Sequence, residues 1–267
     1  MKQPRPHRKI VPADIVVPNG DLYVAEMGQQ LRQPRVPARI VQVHSDGSIK
    51  EIAAGFDGAV TGLAFYRGSL YVAENNWPGR ILRVELDGTK TVLVDGLPGG
   101  GDHPTNGIVF GPDGHMYFGQ GTVTNSGVVG MDNFEAGWLA RRPDAKDVPG
   151  RDVILNARNY TTPNPFSPIS GETASTAAFV PFGTSVSSEF TVAGSRKCSG
   201  SILRATTDGD FLHLVAWGLR ETFGLAFSPE GRLFCTENGL EQRGSRPVRG
   251  DVDRLWEVSP DSWYGWP

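Results

Sequence analysis

The feature that most constrains this chain is a seven-residue segment that occurs four times. It reads Gly20-Asp-Leu-Tyr-Val-Ala-Glu26, Gly68-Ser-Leu-Tyr-Val-Ala-Glu74, Gly114-His-Met-Tyr-Phe-Gly-Gln120 and Gly231-Arg-Leu-Phe-Cys-Thr-Glu237. Each copy is a turn followed by a β-strand pattern. The first three start 48 and 46 residues apart (20 to 68, 68 to 114), the length of one four-stranded propeller blade. The repeat therefore predicts an all-β propeller, with about four blades recognisable.

A second repeated module predicts the hairpins of these blades. Residues 39–47, 80–88 and 201–209 each run through an apolar strand into an Asp-Gly pair. Asp-Gly favours a tight hairpin because Gly tolerates a positive φ. The residues after each turn are again strand-like, so we expect one antiparallel hairpin at each of the three places.

A third shared element is nearly all apolar and suits the innermost strand of a blade. It reads Thr61-Gly-Leu-Ala-Phe65, Asn106-Gly-Ile-Val-Phe110 and Phe223-Gly-Leu-Ala-Phe227. A short apolar run is typical of a strand covered on both faces. In a propeller, the residues just before this strand surround the mouth of the central channel, and we expect functional residues there.

The regular spacing of the repeats is interrupted between Gln120 and Ser201, where Gly, Pro, Asn, Ser and Thr are abundant. A segment of this length in a compact fold is typical of a lid or an elaborated binding loop. We therefore expect a single propeller domain over residues 1–267 with an insertion at about 121–200. Within the insertion we predict a strand at Ala177 to Phe182.

Composition and charge restrict the partners of the chain. The 26 basic and 29 acidic residues give a net charge of −3 without long blocks of one sign, which disfavours nucleic acid as a partner. No apolar run reaches membrane-spanning length, and we expect no export signal at the basic start, Met1 to Lys9. Cys198 and Cys235 are too few for a disulfide framework or a metal site, and we expect ordinary buried thiols. These features favour a soluble protein that binds a small molecule.

The glycine-rich loop from Leu97 to Gly107 carries Asp102 and His103 just before an inner strand. A His is a suitable general base because its imidazole titrates near neutrality, and a carboxylate beside it increases its basicity. The alternative is a turn that carries a solvated His, and the sequence favours neither over the other.

Two further candidates lie at other blades. Arg220 precedes an inner strand and is suited to binding a carboxylate, although it is equally suited to a structural pair with Glu221 or Glu237. The polar loop from Thr236 to Pro247 offers oxygen ligands of the kind that Ca²⁺ prefers, but it lacks EF-hand spacing. No phosphate-binding loop, nucleophile elbow, zinc motif or haem-attachment motif is present.

These residues resemble the soluble glucose/sorbosone dehydrogenase family, six-bladed propellers that use pyrroloquinoline quinone (PQQ) with Ca²⁺. The matching segments are Gly101 through Gly114, Gly218 through Gly231, Glu237-Asn-Gly239 and Tyr264-Gly-Trp-Pro267. From this resemblance we expect the chain to lack the C-terminal blades of that family. The open blade edges would then be covered by association of copies. Family members are often periplasmic or secreted.

The resemblance implies a role for each candidate residue. It suggests His103 as the base that removes a sugar hydroxyl proton while a hydride passes to PQQ, with Asp102 as its companion. It places Arg220 and its neighbour Glu221 beside the cofactor. It also implies that the backbone around Gly239 and Leu240 binds Ca²⁺.

Three functions remain open from the sequence. The leading one is a sugar dehydrogenase-like propeller with an unknown sugar and electron acceptor, with activity impaired if blades are lacking. The second is a calcium-dependent lactonase, in which the ion polarises an ester carbonyl. The third is a non-catalytic propeller that binds carbohydrate or protein, since a fold does not fix a function.

Overall fold

The computed structural model describes residues 12–28 and 36–267. Within them lie twenty strands, one short helix, α1 (Met131–Glu135), and a 3₁₀ turn (Pro18–Gly20). The strands are β1 (Pro12–Val16), β2 (Leu22–Glu26), β3 (Arg39–Val43), β4 (Ile49–Ala54), β5 (Ala59–Tyr66), β6 (Ser69–Asn75), β7 (Gly79–Val84), β8 (Lys90–Leu97), β9 (Thr105–Phe110), β10 (Met116–Gln120), β11 (Val153–Leu155), β12 (Asn159–Pro163), β13 (Thr173–Ala177), β14 (Phe190–Val192), β15 (Ser201–Ala205), β16 (Leu212–Trp217), β17 (Glu221–Phe227), β18 (Leu233–Asn238), β19 (Arg254–Glu257) and β20 (Ser262–Trp263).

The described strands form four propeller blades, which confirms the predicted fold class. The blades are β1 to β4, β5 to β8, the group β9, β10, β15 and β16, and β17 to β19. Neighbouring strands within these blades are antiparallel. β20 adds to the edge of the third blade in parallel with β16. The repeated segment found in the sequence is the second strand of each blade.

The predicted hairpins are also present, between β3 and β4, β7 and β8, and β15 and β16. Gly47, Gly88 and Gly209 take φ values of 80°, 92° and 84°, which a residue with a Cβ rarely adopts. The Asp before each Gly accepts a hydrogen bond from the backbone N–H two residues further on. Local sequence alone therefore determines these three turns.

The inner strands β1, β5, β9 and β17 lie side by side and are joined by polar side chains. Asp14 accepts from the backbone N–H of Leu63 at 2.8 Å. Thr61 donates to the carbonyl of Thr105 at 2.5 Å, and Asn106 donates to the carbonyl of Thr222 at 3.0 Å. These bonds fix the relative heights of adjacent inner strands, and thus of the loops that enter them.

Apolar side chains fill the space between successive blades. Leu63, Leu70 and Val72 pack against the first blade. On the second blade's other face, Tyr71 and Ile81 pack against the third. A third cluster joins the third and fourth blades and includes Cys235. Burial of these faces stabilises the arc of blades at about 25 cal/mol per Å² of apolar surface.

The insertion predicted at about 121–200 contains α1, the hairpin β12–β13 and a two-stranded antiparallel sheet of β11 and β14. It has its own apolar cluster around Val123, Trp138 and Leu139. The strand predicted at Ala177 to Phe182 is wrong, because β13 ends at Ala177. Phe179 has a positive φ of 58° and is buried, and its N–H donates to the carbonyl of Gly127. Packing against Trp266 thus outweighs the strand preference of this segment.

Two other expectations concern the cysteines and the chain start. Cys198 and Cys235 are free and buried, as predicted. Burial raises the pKa of the Cys198 thiol to about 11, so it stays a protonated thiol at neutral pH. In the described residues, no helix is long and apolar enough to cross a membrane. The basic segment from Met1 to Lys9 lies outside the described residues.

Candidate functional site

The candidate site lies where the loops enter β9 and β17. His103 and Arg220 stand at the same position of two blades, each two residues before the Thr that faces the end of the second strand. The backbone of Thr122 joins the two loops. Its carbonyl accepts from the N–H of His103 at 3.0 Å, and its N–H donates to the carbonyl of Arg220 at 3.1 Å. The structure therefore brings these two predicted residues together.

The repeated Glu at the end of the second strand holds the mouth loop of its blade. Glu237 accepts from the backbone N–H of Arg220 at 2.6 Å and from the indole N–H of Trp256 at 2.7 Å. In the second blade, Glu74 accepts from the N–H of Gly58 at 2.9 Å. A carboxylate at this place satisfies a buried backbone donor that would otherwise be unpaired. The bond to Glu237 also fixes the position of the Arg220 backbone, from which the side chain extends into the site.

The imidazole of His103 is only 5% exposed. Its Nδ1 lies 2.7 Å from the hydroxyl oxygen of Thr122. That hydroxyl donates to the carbonyl of Thr124 at 2.6 Å. Burial, together with the positive charges of Arg220 and Arg243, holds the pKa of His103 well below its usual range. The ring is therefore neutral at pH 7, the form in which it accepts a proton.

The carboxylate of Asp102 bonds other partners instead of the imidazole of His103. Its carboxylate accepts from the indole N–H of Trp138 at 2.6 Å and from the amide of Asn133 at 3.1 Å. It also forms a salt bridge with Arg243 at 2.8 Å. In the described part of the chain, the bond to the His103 ring comes instead from Thr122.

Arg220 is 2% exposed and its guanidinium is surrounded by acceptors. It donates to the side-chain oxygen of Asn125 at 3.0 Å and to the carboxylate of Glu241 at 2.9 Å. The Glu241 carboxylate is 56% exposed and comes from the polar loop after β18. The structural pair expected with Glu221 or Glu237 is replaced by one with Glu241, since Glu237 accepts from the backbone N–H of Arg220 and not from its guanidinium. The contact with a cofactor stays a prediction.

Arg243 connects this pair to the acidic residues of the insertion. It bonds Asp132 at 2.8 Å and Glu241 at 2.5 Å in addition to Asp102. Burial, and secondly the charge of Asp102, raise the pKa of Asp132. One oxygen of Asp132, Oδ1, is buried without a hydrogen-bond partner in the described residues. The cluster therefore has more carboxylates than cations.

Glu221 lies beside this cluster at the start of β17. Its carboxylate accepts from the amide of Asn238 at 2.9 Å. Burial raises the pKa of Glu221, so this acid is more easily protonated than an exposed glutamate. It adds a further acidic group rather than a cation.

Gly239 and Leu240 form the turn after β18. Their N–H groups donate to the carboxylates of Asp253 and Asp251 at 3.0 and 2.7 Å. Asp251 is also paired with Arg254. No group of three or more His, Cys, Asp or Glu side chains converges on an ion position in the described residues. The structure leaves the proposed carbonyl ligands as a prediction.

Asp147, in the insertion, supports the loop beneath His103. It is 1% exposed. Its carboxylate accepts from the backbone N–H groups of Val123 and Thr124, at 2.6 and 3.1 Å, and from the Thr124 hydroxyl at 2.6 Å. Burial raises the pKa of Asp147 to about 6. The insertion therefore positions residues of the site directly.

Sequence reasoning did not identify several polar residues of this cluster. They are Thr122, Thr124, Asn125, Asp132, Asn133, Asp147, Glu241 and Arg243. All but Glu241 and Arg243 lie in the insertion, which has no repeat to align. The loop that carries Glu241 and Arg243 is predicted from its oxygen ligands, and no sequence signal identifies Arg243 as a residue of the site.

Three solved structures show the same fold at low sequence identity. The PQQ-bound aldose sugar dehydrogenase from Streptomyces coelicolor matches 96% of this chain with a TM-score of 0.56 and 19% identity. A putative oxidoreductase (glucose dehydrogenase) from Thermus thermophilus matches 97% with a TM-score of 0.57 and 19% identity. The holo pyranose dehydrogenase PQQ domain from Coprinopsis cinerea matches 94% with a TM-score of 0.52 and 12% identity.

This chain spans only part of each of these proteins. It covers 62% of the Streptomyces coelicolor chain, 65% of the Thermus thermophilus chain and 51% of the Coprinopsis cinerea chain. No family model and no curated protein matches it. At such identities the likeness establishes the fold, and the activity has to be argued from the site.

Proposed function

We propose that this protein is a sugar-oxidising propeller of the quinone-dependent dehydrogenase type, in which His103 is the base. One observation supports this most directly. A buried imidazole, neutral at pH 7, lies at the mouth of the inner strands beside two cationic side chains. The proposal also draws on the fold that the chain shares with an aldose sugar dehydrogenase.

The chemistry assigned to His103 is the removal of one proton. Oxidation of a sugar hydroxyl to a carbonyl removes a proton from oxygen and a hydride from carbon. His103 would take the proton, and its exclusion from water would favour the neutral acceptor form. The described residues account for the proton, and the hydride would pass to an added two-electron acceptor, a quinone or the dye of the assay.

The charges of the cluster do not fit PQQ, which is a tricarboxylate. Arg220 and Arg243 face the carboxylates of Asp102, Asp132 and Glu241, and both guanidinium groups are already paired. The buried Oδ1 of Asp132 has no partner among the described residues, so an added anion would increase the repulsion there. We therefore assign no step of the reaction to a quinone contact in this chain.

The donor set also does not fit a carboxylate-bound Ca²⁺ at the turn after β18. Glu237 accepts from two N–H donors, and Asp251 is held by Arg254 and by the N–H of Leu240. Calcium requires such oxygens to be free. Any ion there would depend on backbone carbonyls.

A direct test measures dye reduction by aldoses with and without added PQQ and Ca²⁺. We expect sugar-dependent dye reduction, and a loss of about 10²-fold or more in His103→Ala, as is typical for removal of a general base. The arms with and without PQQ test the charge argument, because a rate that does not depend on PQQ is expected if the cluster repels that anion. His44→Ala, on an exposed hairpin of the first blade, is the matched control and should be unaffected.

Two outcomes would count against the proposal. If no quinone binds and no aldose reduces the dye, the dehydrogenase function is wrong, and hydrolysis of aldonolactones becomes the next assay. If His103→Ala turns over at the wild-type rate, His103 is not the base.

A further inference from the structure

A continuous chain of hydrogen bonds runs from the insertion to the imidazole. The Asp147 carboxylate holds the backbone and hydroxyl of Thr124. The carbonyl of Thr124 accepts from the hydroxyl of Thr122, and the oxygen of that hydroxyl lies 2.7 Å from Nδ1 of His103. Each of these groups is buried, so water does not compete for the bonds.

The direction of the bond to His103 follows from counting protons. A threonine hydroxyl carries one proton, and a carbonyl oxygen can only accept. The proton of Thr122 is therefore used in its bond to Thr124, and its oxygen must accept from His103. Nδ1 consequently carries the proton of the neutral imidazole, and Nε2 carries the lone pair. In the described part of the chain, no hydrogen bond involves Nε2.

Asp147 fixes the orientation of the acceptor that receives the Thr122 proton. Its two oxygens bind three donors of Val123 and Thr124, which sets the turn on which the Thr124 carbonyl lies. Without that carbonyl the Thr122 hydroxyl would be free to rotate and to donate to the ring. The tautomer of His103 would then no longer be determined.

We propose that Thr122, supported by Thr124 and Asp147, is a positioning residue that fixes the Nδ1–H tautomer of His103 and directs the lone pair of Nε2 toward the substrate. The consequence for catalysis rests on the proposed function. The tautomer itself is a property of the substrate-free protein. A threonine hydroxyl thus does here what a carboxylate does in a His–Asp pair, without adding another negative charge to an acid-rich cluster.

The test is nitrogen NMR of the histidine rings in the full chain without sugar or quinone, with His103→Gln used to assign the signal. We expect Nδ1 of His103 to be protonated and Nε2 to be unprotonated above the ring's pKa. Thr122→Val removes the acceptor and should produce a mixture of tautomers or the Nε2–H form. Thr122→Ser keeps the hydroxyl and should restore the wild-type spectrum.

The outcomes are separable from those of the activity assay. An Nε2–H ring in the wild type overturns the proposal, even if Thr122→Val does not fold. An Nδ1–H ring that persists unchanged in a folded Thr122→Val variant also overturns it. If dye reduction is found, we expect Thr122→Val to lower kcat about tenfold or more with little change in KM, and Thr122→Ser to recover most of the loss.

Discussion

At the scale of single residues, Asp147 illustrates the cost of a buried carboxylate that has a positioning role. It is almost fully buried, and burial raises its pKa to about 6 although hydrogen bonds from Thr124 and Val123 oppose the rise. The folded protein therefore binds a proton at this group more readily than the unfolded chain does. Ionised Asp147 destabilises the fold relative to the protonated acid.

The pH dependence of stability follows from this difference. Between about pH 4 and pH 6 the unfolded chain has lost the proton of Asp147 while the folded state keeps it, so the free energy of unfolding falls as pH rises. One pH unit of pKa difference corresponds to about 1.4 kcal/mol, which gives about 3 kcal/mol for the whole titration, of which about 2 kcal/mol falls between pH 4 and pH 6. Carbon NMR of the carboxyl should show a midpoint near pH 6.

A pair of variants isolates this contribution. Asp147→Asn removes the titration, so the stability difference between wild type and variant should shift by about 2 kcal/mol against the wild type from about pH 4 to pH 6. Asp144→Asn, an exposed neighbour, should leave the pH profile unchanged. A carboxyl midpoint near that of an exposed aspartate, or a difference that moves the other way, would contradict the prediction. His103 contributes with the opposite sign in both proteins and cancels from the comparison.

At the scale of elements, the third blade differs from the others at two facing positions, where the loss of an acid accompanies the loss of an arginine. The second strand ends in Glu26, Glu74 and Glu237, but in Gln120 in the third blade. The residue opposite is Arg39 or Arg80 in the first two blades, and Ser201 in the third. Where the arginine is lost the acid is also lost, because a buried carboxylate without a cation is costly. Gln120 is satisfied by neutral partners, including Thr105.

A double-mutant cycle in the second blade tests this coupling. Glu74 is 1% exposed and pairs with Arg80 at 2.8 Å. We expect Arg80→Ser to cost about 3 to 5 kcal/mol, since it leaves a buried charge unpaired. Glu74→Gln with Arg80→Ser reproduces the third-blade combination and should cost less than the sum of the single changes, by about 1 to 3 kcal/mol. Additive losses in urea unfolding would show that the two residues act independently.

The elements that were predictable are those determined by neighbouring residues. The Asp-Gly turns and the second strands follow from local pattern, and repetition along the chain reinforces each assignment. The predicted inner strands also located His103 and Arg220 correctly, in the loops at the mouth of the central channel. Their partners were not predictable, because Asp147 and Arg243 come from distant segments whose sequences contain no repeat. The association of copies, expected from the sequence, stays a prediction.

At the scale of the whole molecule, the outer face of the fourth blade differs from its counterparts. Ile81, Ile202 and Leu255 occupy equivalent positions on the third strands of the second, third and fourth blades. Ile81 and Ile202 are fully buried against the next blade, whereas Leu255 is 70% exposed. The same sequence pattern therefore contributes to a core in two blades and to the surface in the fourth.

This difference gives a prediction that compares equivalent residues. Ile81→Ala and Ile202→Ala each create a cavity between blades and should cost about 2 to 5 kcal/mol. Leu255→Ala removes side-chain atoms that are mostly in water, so we expect a change within about 0.5 kcal/mol in urea unfolding. The measurement should be repeated over a range of protein concentrations, because a face that is covered by association would make the Leu255 effect grow with concentration. A loss for Leu255→Ala as large as that for Ile81→Ala in a dilute monomer would mean that the fourth blade's face is buried after all.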